Sequence, residues 1–259
     1  MPHIHKITLY PIKSLDGVEV QQAQITQGGA LQWDRTFALY NAAGRTVNAK
    51  KYPDILKVRT NFDLENLKVS LSAEPDQITT FQLPDEQEKI AQFFSEYFGE
   101  SIHMKQQLTS GFPDDDENSG PTLVSTATFV EVQKWFPSLS LDNLRKRFRA
   151  NIELGDCDTA FWEDSLFSAP GTDTYFRLGE VPFIGKKPCA RCTVPARDPF
   201  NSQNDKSFMQ TFISRRKETF PSFANSAQFS HYYHLCVNTI IPASASARLV
   251  MIGDIVVFE

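Results

Sequence analysis

Two cysteines three positions apart are the first candidates for chemistry in this chain. Cys189 and Cys192 lie in the segment Lys187-Pro-Cys-Ala-Arg-Cys-Thr-Val-Pro195. A zinc site would need two more ligands, and the nearest histidine pair follows about forty residues later, outside the usual spacing of zinc fingers. A thioredoxin-like dithiol would need its cysteines at the start of a helix between strands, whereas Pro195 follows closely here.

Two interpretations of this pair remain. Free cysteines are often buried as small apolar side chains, which would make both of them core residues. Alternatively, the neighbouring Lys186, Lys187 and Arg191 supply positive charge that favours a thiolate, and a thiolate is a ligand for soft metals. The residues by themselves do not decide between these two interpretations.

Arg35 is the second candidate because of its place in a predicted strand. From Leu31 to Tyr40 apolar and polar residues alternate, and Arg35 shares the parity of the apolar set. The strand would therefore direct the guanidinium into the core, where a charge is costly unless it is paired. The arginine would have a carboxylate partner, be redirected by a bulge, or bind an internal anion such as a phosphate.

Two further polar pairs lie where predicted elements end. Lys13 and Ser14 follow the first predicted strand, and strand ends are common places for ligands. Arg149 and Asn151 lie where a short helix with a basic cluster gives way to a strand. Such a cluster is usually a solvated helix face, but the second pair would also suit a phosphate or a ring rich in carbonyl groups.

The predicted elements are mostly strands. Strands are expected across the first third of the chain and near residues 151–154, 175–183 and 249–258, and helices near 85–98, 125–137, 142–148 and 207–217. The acidic stretch 110–121 has no apolar period and predicts a loop, which divides the chain into residues 1–110 and 111–259. Neither a Rossmann-like alternation nor a glycine-rich phosphate loop occurs. We therefore predict a mainly β, α+β protein of two β-barrel-like modules.

The composition is typical of a globular protein. Of 259 residues 41% are apolar, and a net charge of −5 gives no general attraction to nucleic acid or to an anionic membrane. No apolar run reaches the roughly 18 residues of a membrane span, and the first residues lack the apolar region of a signal peptide. Four cysteines are too few for a disulfide framework, which favours a cytoplasmic location.

Taken together, four motifs resemble those of the MOSC-domain family. Leu9-Tyr-Pro-Ile-Lys13-Ser14 and Trp33-Asp-Arg35 resemble its N-terminal β-barrel domain. Arg147-Phe-Arg149-Ala-Asn151-Ile and Lys187-Pro-Cys-Ala-Arg-Cys192, which runs into Arg197-Asp-Pro199, resemble the MOSC domain proper. The motifs occur in the family's order, and the resemblance extends from about residue 3 to residue 258.

The resemblance implies a molybdenum–molybdopterin cofactor and a role for each motif. Cys192 matches the cysteine that ligates molybdenum, whereas Cys189 matches a cysteine that does not. The positions that match residues holding the pterin and its phosphate are Lys13, Ser14, Arg35, Arg149 and Asn151, with Ser119 aligned on a further contact. These side chains must then converge on Cys192 in three dimensions.

The resemblance also implies an enzyme. The family includes proteins that reduce N-hydroxylated compounds, so an oxidoreductase is expected that removes oxygen from a small N-oxygenated substrate. Its electrons would come from a separate ferredoxin-, flavin- or cytochrome-type protein. The alternative is a non-catalytic carrier of the cofactor or of sulfur. After Cys192 the chain departs from the amidoxime-reducing members, and the absence of an aminotransferase-like domain argues against a complete cofactor sulfurase.

Overall fold

The computed structural model describes residues 1–259 as a mainly β protein with four α-helices. The strands are β1 (His3–Leu9), β2 (Val18–Val20), β3 (Gln22–Gln24), β4 (Phe37–Asn41), β5 (Arg59–Asp63), β6 (Lys68–Glu74), β7 (Gln77–Gln82), β8 (Ile102–Gln106), β9 (Leu123–Ser125), β10 (Ile152–Gly155), β11 (Thr174–Leu178), β12 (Val181–Ala190), β13 (His234–Ile240), β14 (Leu249–Met251) and β15 (Val256–Phe258). The helices are α1 (Gln87–Phe98), α2 (Thr126–Trp135), α3 (Leu141–Phe148) and α4 (Phe208–Glu218). The predicted α+β class is confirmed. None of these helices has the length and apolar character needed to cross a bilayer.

The largest sheet joins strands from the two ends of the chain. Its order is β15-β11-β12-β13-β9-β10-β1-β2, with β2 and β15 at its ends. In it β1 pairs antiparallel with both β2 and β10, and Ile4 lies opposite Leu154. A smaller ladder links β3 to β14. Hydrogen-bonded strands therefore cross the predicted division near residue 110, which itself stays a prediction.

Three apolar clusters form the core. The first lies on the large sheet and includes Ile7 and Phe183. The second, which includes Phe37 and Phe94, is built from residues 12–102, where α1 packs beside β8. The third includes Phe148 and lies among α2, α3 and α4. The candidate residues for chemistry lie where the chain passes between these clusters.

Local residues set several of the helix ends, although α1 begins after Glu86 without the side-chain capping bond that its first residues suggest. Ser125 caps α2 by accepting a hydrogen bond from the Thr128 N–H at 3.1 Å, and Ser140 caps α3 through the N–H of Asn143 in the same way. Gly99 ends α1 in the left-handed conformation, at φ 67°. Arg149 ends α3 at φ 54°, and the chain then turns into β10. The helix end thus places Arg149 just before β10, an interior strand of the large sheet.

The strand predicted from Leu31 to Tyr40 is wrong in its first half. Only Phe37–Asn41 forms a strand, and residues 31–35 form tight turns in which Trp33 (φ 71°) and Arg35 (φ 48°) are left-handed. The Arg35 N–H donates to the Tyr10 carbonyl at 2.8 Å instead of joining a ladder through this segment. Strand parity therefore does not aim Arg35 inward; the turn does.

Candidate cofactor-binding cavity

One cavity of about 740 Å³ lies between the end of β1, the acidic loop before β9 and the segment after β12. Its wall contains every residue selected from the sequence, namely Lys13, Ser14, Arg35, Ser119, Arg149, Asn151 and Cys192. The wall carries seven Lys and Arg side chains against four Asp, in a chain whose net charge is −5. The cavity has the size of a small-molecule site. Its excess of positive charge is confined to this wall and is not a property of the whole chain. The convergence that the family resemblance requires is present, while the role of each residue stays a prediction.

Arg149 is a cation in this wall without an acidic partner. Its guanidinium lies 4.0 Å from the centre of the Tyr10 ring and makes no hydrogen bond or ion pair within the protein. Burial lowers the pKa of Arg149, and the positive charge of Arg35 lowers it further. A charge withdrawn from solvent is costly without a counter-charge. The geometry at Arg149 therefore favours an anionic ligand.

Tyr10 is the support for both arginines and was missed in the sequence. Its ring centre lies 4.0 Å from the Arg149 guanidinium and 5.2 Å from that of Arg35. The hydroxyl donates to the Ala150 carbonyl at 3.3 Å, and the backbone N–H donates to Asp34 Oδ1 at 2.9 Å. Burial raises the pKa of Tyr10 to about 12, so the phenol is neutral at physiological pH. The sequence feature that could have pointed to Tyr10 is its position directly after β1 and three residues before Lys13.

Arg35 has a carboxylate partner, Asp34, which was one of the three possibilities that the sequence left open. Its Nη1 donates to Asp34 Oδ2 and, at 3.2 Å, to Asn151 Oδ1. Both contacts use Nη1, and Nη2 has no acceptor within the protein. Asp34 thus balances the charge of Arg35, while the far side of the guanidinium is available to a ligand in the cavity.

Asn151 has its polar atoms occupied by the protein. Its Nδ2 donates to the Thr8 carbonyl at 3.2 Å, and its Oδ1 accepts from the Thr122 N–H and from Arg35, each at 3.2 Å. The residue is only 2% exposed. Although the resemblance aligns Asn151 with a cofactor contact, these bonds give it a positioning role, because it ties Arg35 to β1 and β9.

Replacing Asn151 with alanine is expected to lower the free energy of unfolding by about 1–3 kcal/mol, because the Thr8 carbonyl and the Thr122 N–H lose a buried partner. Urea unfolding measures the change. Asn61→Ala is the matched control: Asn61 is exposed on β5, and its replacement should change stability by less than about 0.5 kcal/mol. Equal, small effects of both replacements would contradict the positioning role.

Lys13, Ser14 and Ser119 also line the cavity, and Lys13 contacts the loop that precedes β9. The Lys13 ammonium pairs with Asp114 at 2.7 Å and donates to the carbonyls of Phe112 (3.0 Å) and Pro113 (2.9 Å). Ser14 is left-handed at φ 75°, and its hydroxyl makes no hydrogen bond within the protein. Ser119 is less available to a ligand, because its hydroxyl donates to the Gly28 carbonyl at 2.8 Å.

The cysteine pair occupies another part of the wall. Cys192 is exposed, and its Sγ accepts only the Val194 N–H, at 3.5 Å. Arg191 Nη1 donates to Cys189 Sγ at 3.2 Å. The interpretation as a buried core residue is therefore wrong for Cys192, whereas Cys189 is partly buried against the third apolar cluster. Arg191, one of the cations expected to favour a thiolate at this pair, directs its hydrogen bond to Cys189 and not to Cys192.

His234 adds a neutral polar side chain to the wall. It is 4% exposed, and its Nδ1 has no hydrogen-bond partner. Burial and the neighbouring His231 lower its pKa to about 4, which keeps the ring uncharged at neutral pH. No group of three or more His, Cys, Asp or Glu side chains is arranged to hold a metal ion.

The fold and the cavity describe a mainly β protein with a cationic ligand site that contains an exposed thiol. Residues 1–101 match the family model for the MOSC N-terminal beta barrel domain. The match covers 101 of the 259 residues, and over that part of the chain it confirms the resemblance inferred from the motifs.

Two proteins extend the comparison. The chain is 24% identical, over 234 residues, to a molybdenum cofactor sulfurase of Oryza sativa subsp. japonica; the match covers 73% of this chain but only 28% of that protein. The crystal structure of YiiM from Geobacillus stearothermophilus shares 14% identity and 54% of each chain at a TM-score of 0.30, which is too low to support an argument.

Proposed function

We propose that this protein binds a molybdenum–molybdopterin cofactor in the cavity, with the Cys192 thiolate as the protein ligand to molybdenum. The proposal is carried by one observation: an exposed cysteine shares a cavity with three distant cations, Lys13, Arg35 and Arg149. The donor set suits the group, because a thiolate is a soft ligand and arginines bind phosphate. Arg149 has no acidic partner within the protein, so an anionic ligand such as a phosphate would balance its charge.

Each side chain would have a separate task in holding such a cofactor. Arg149 and the free side of Arg35 would bind the phosphate, while Tyr10 holds both guanidinium groups in place. The Ser14 hydroxyl would donate or accept a further hydrogen bond. Cys192 would present its sulfur from an exposed position, with the Val194 N–H as its only partner. When bound, the cofactor would supply the two-electron redox chemistry.

The finer proposal is an oxidoreductase that reduces N-hydroxylated or N-oxide small molecules. For a hydroxylamine, two electrons and two protons would convert the N–OH group to an N–H group and one water. The electrons would come from a separate redox protein. Support comes from the MOSC resemblance and from the exposure of Cys192, which lets a small molecule reach a metal held there. The matched sulfurase is much longer than this chain, so its activity is not carried over.

A specific contact favours a second candidate, a carrier of the cofactor or of sulfur. Cys189 lies in the same cavity as Cys192, and its sulfur accepts a hydrogen bond from Arg191 at 3.2 Å. A hydrogen bond from a cation makes a sulfur atom a better place for negative charge. Two thiols in one cavity would suit the holding and passing on of a sulfur atom.

The test is to purify the chain from a molybdenum-replete host and to measure its metal and pterin content. Reduction of a hydroxylamine or an amidoxime with an artificial electron donor is then assayed on the same sample. Bound molybdenum with turnover supports the oxidoreductase, and bound molybdenum without turnover supports the carrier. The absence of both molybdenum and pterin would contradict the proposal.

A further inference from the structure

We propose that residues 112–118, termed here the acidic loop, act as a built-in competitor at the cofactor site: the Asp114 carboxylate holds Lys13 until a phosphate-bearing ligand displaces it. The inference rests on the proposed anion site and adds one step to it, the release of Lys13 from Asp114. Lys13 would then exchange a partner within the chain for one in the ligand. The experiment given below separates failure of the loop's role from failure of the site.

The first support is that the acidic loop saturates Lys13. An ammonium group has three protons to donate. The three acceptors within reach are Asp114 Oδ1 at 2.7 Å, the Phe112 carbonyl at 3.0 Å and the Pro113 carbonyl at 2.9 Å, all from this loop. A phosphate can therefore bind Lys13 fully only if at least one of these contacts is broken.

The second support is the electrostatic position of Asp114. Its side chain is 78% exposed but faces the cations of the cavity. Neighbouring protein atoms displace part of the water around the Asp114 carboxylate, which acts to raise its pKa, but the positive charges of Lys13, Arg35 and Arg191 outweigh this effect and lower the pKa to about 2. The carboxylate is thus ionised at all ordinary pH values. It lies beside the same cations that an anionic ligand of the cavity would bind. Two anions in that position repel each other, so ligand and loop compete.

The third support is the way in which the loop is attached. Its ends are fixed by backbone bonds, from the Phe112 N–H to the Arg35 carbonyl (2.8 Å) and from the Gly120 N–H to the Thr239 carbonyl (3.1 Å). Residues 113–117 make no backbone hydrogen bond to any other part of the chain.

Side-chain contacts hold this middle part of the acidic loop. Besides Lys13–Asp114, Asp115 pairs with Lys187 at 2.9 Å and accepts a hydrogen bond from Asn238 at 3.3 Å. Partly exposed ion pairs contribute little stability. Displacement of the loop by a ligand would therefore leave the apolar clusters intact.

The test measures binding of inorganic pyrophosphate to the full chain by titration calorimetry. Asp114→Asn should bind it about fivefold more tightly than the wild type, the size expected from loss of one exposed ion pair. Asp116→Asn is the matched control, because Asp116 lines the same cavity and carries the same charge but pairs with no cation. Its affinity should stay within about twofold of the wild type, since an unpaired exposed charge is screened by salt.

Two further measurements make the outcome specific. In the double variant Lys13→Met/Asp114→Asn, the gain from Asp114→Asn should disappear, because the two residues act as a pair. Amide hydrogen exchange in residues 112–118 should speed up when pyrophosphate is added to the wild type.

Three results would count against the proposal. Equal affinities for the Asp114 and Asp116 variants, or slower loop exchange on binding, would overturn the loop's role and leave the anion site standing. No pyrophosphate binding in any variant would overturn both the loop's role and the site.

Discussion

Replacing Cys192 with alanine is expected to reduce the molybdenum content of the purified protein to background, a loss of more than about tenfold, because the metal loses its protein ligand. Cys192 is exposed and its sulfur accepts one weak hydrogen bond, so the fold should tolerate the change within about 0.5 kcal/mol. Metal analysis by mass spectrometry and fluorescence of the oxidised pterin measure the result, and urea unfolding checks the stability.

Cys189→Ala is the matched control in the same cavity. It removes a thiol three positions earlier, together with the acceptor of the Arg191 hydrogen bond, and is expected to retain most of the molybdenum. Loss of the metal from the Cys189 variant, with retention in the Cys192 variant, would show that the ligand assignment is wrong. Retention in both variants would show that neither cysteine is needed to hold the metal.

Replacing Arg149 with glutamine should weaken pyrophosphate binding by about tenfold or more, because a charge-assisted partner of the phosphate is lost. The same change should raise the free energy of unfolding of the ligand-free protein by about 1 kcal/mol. This opposite sign follows from the unpaired guanidinium, whose burial lowers its pKa and whose neighbour Arg35 repels it. Calorimetry measures the first effect and urea unfolding the second.

Arg147→Gln separates a ligand-binding arginine from a structural one. Arg147 also lines the cavity, but its Nη1 donates to the carbonyls of Pro195 (2.8 Å) and Arg197 (2.7 Å). Its Nε donates to Asn143 Oδ1 at 2.6 Å, and the residue is 5% exposed. Its loss should lower stability by about 2–3 kcal/mol. If Arg149→Gln also lowered stability and left pyrophosphate binding unchanged, Arg149 would be structural too.

The local parts of the fold could be predicted from the sequence. Helix α1 follows from apolar residues at helical spacing and from Gly99, and α2 and α3 follow from the caps Ser125 and Ser140. These signals lie within a few residues of the feature that they specify. The partners of β1 and β3 could not be predicted, because pairing with β10 and β14 joins residues far apart in the chain.

The candidate site also has parts that the sequence could predict and parts that it could not. The resemblance selected residues that line one cavity, whereas the argument for Arg35 from strand parity reached the cavity for the wrong reason, since a turn aims the side chain. Tyr10 beneath two arginines, Arg191 against Cys189 and Asp114 against Lys13 were all missed. Each depends on the direction of a side chain, and neither residue type nor spacing determines that direction.

The strand order of the large sheet also has a consequence for synthesis of the chain. β1 is synthesised well before its second partner, β10, which is made only when residues 152–155 are translated. At about 5–20 residues per second, the wait is on the order of 10 s. During that interval one edge of β1 is unpaired and can pair with a neighbouring nascent chain. Tyr10 directly follows this strand, so the support of the two arginines can form only after β1 has found both of its partners.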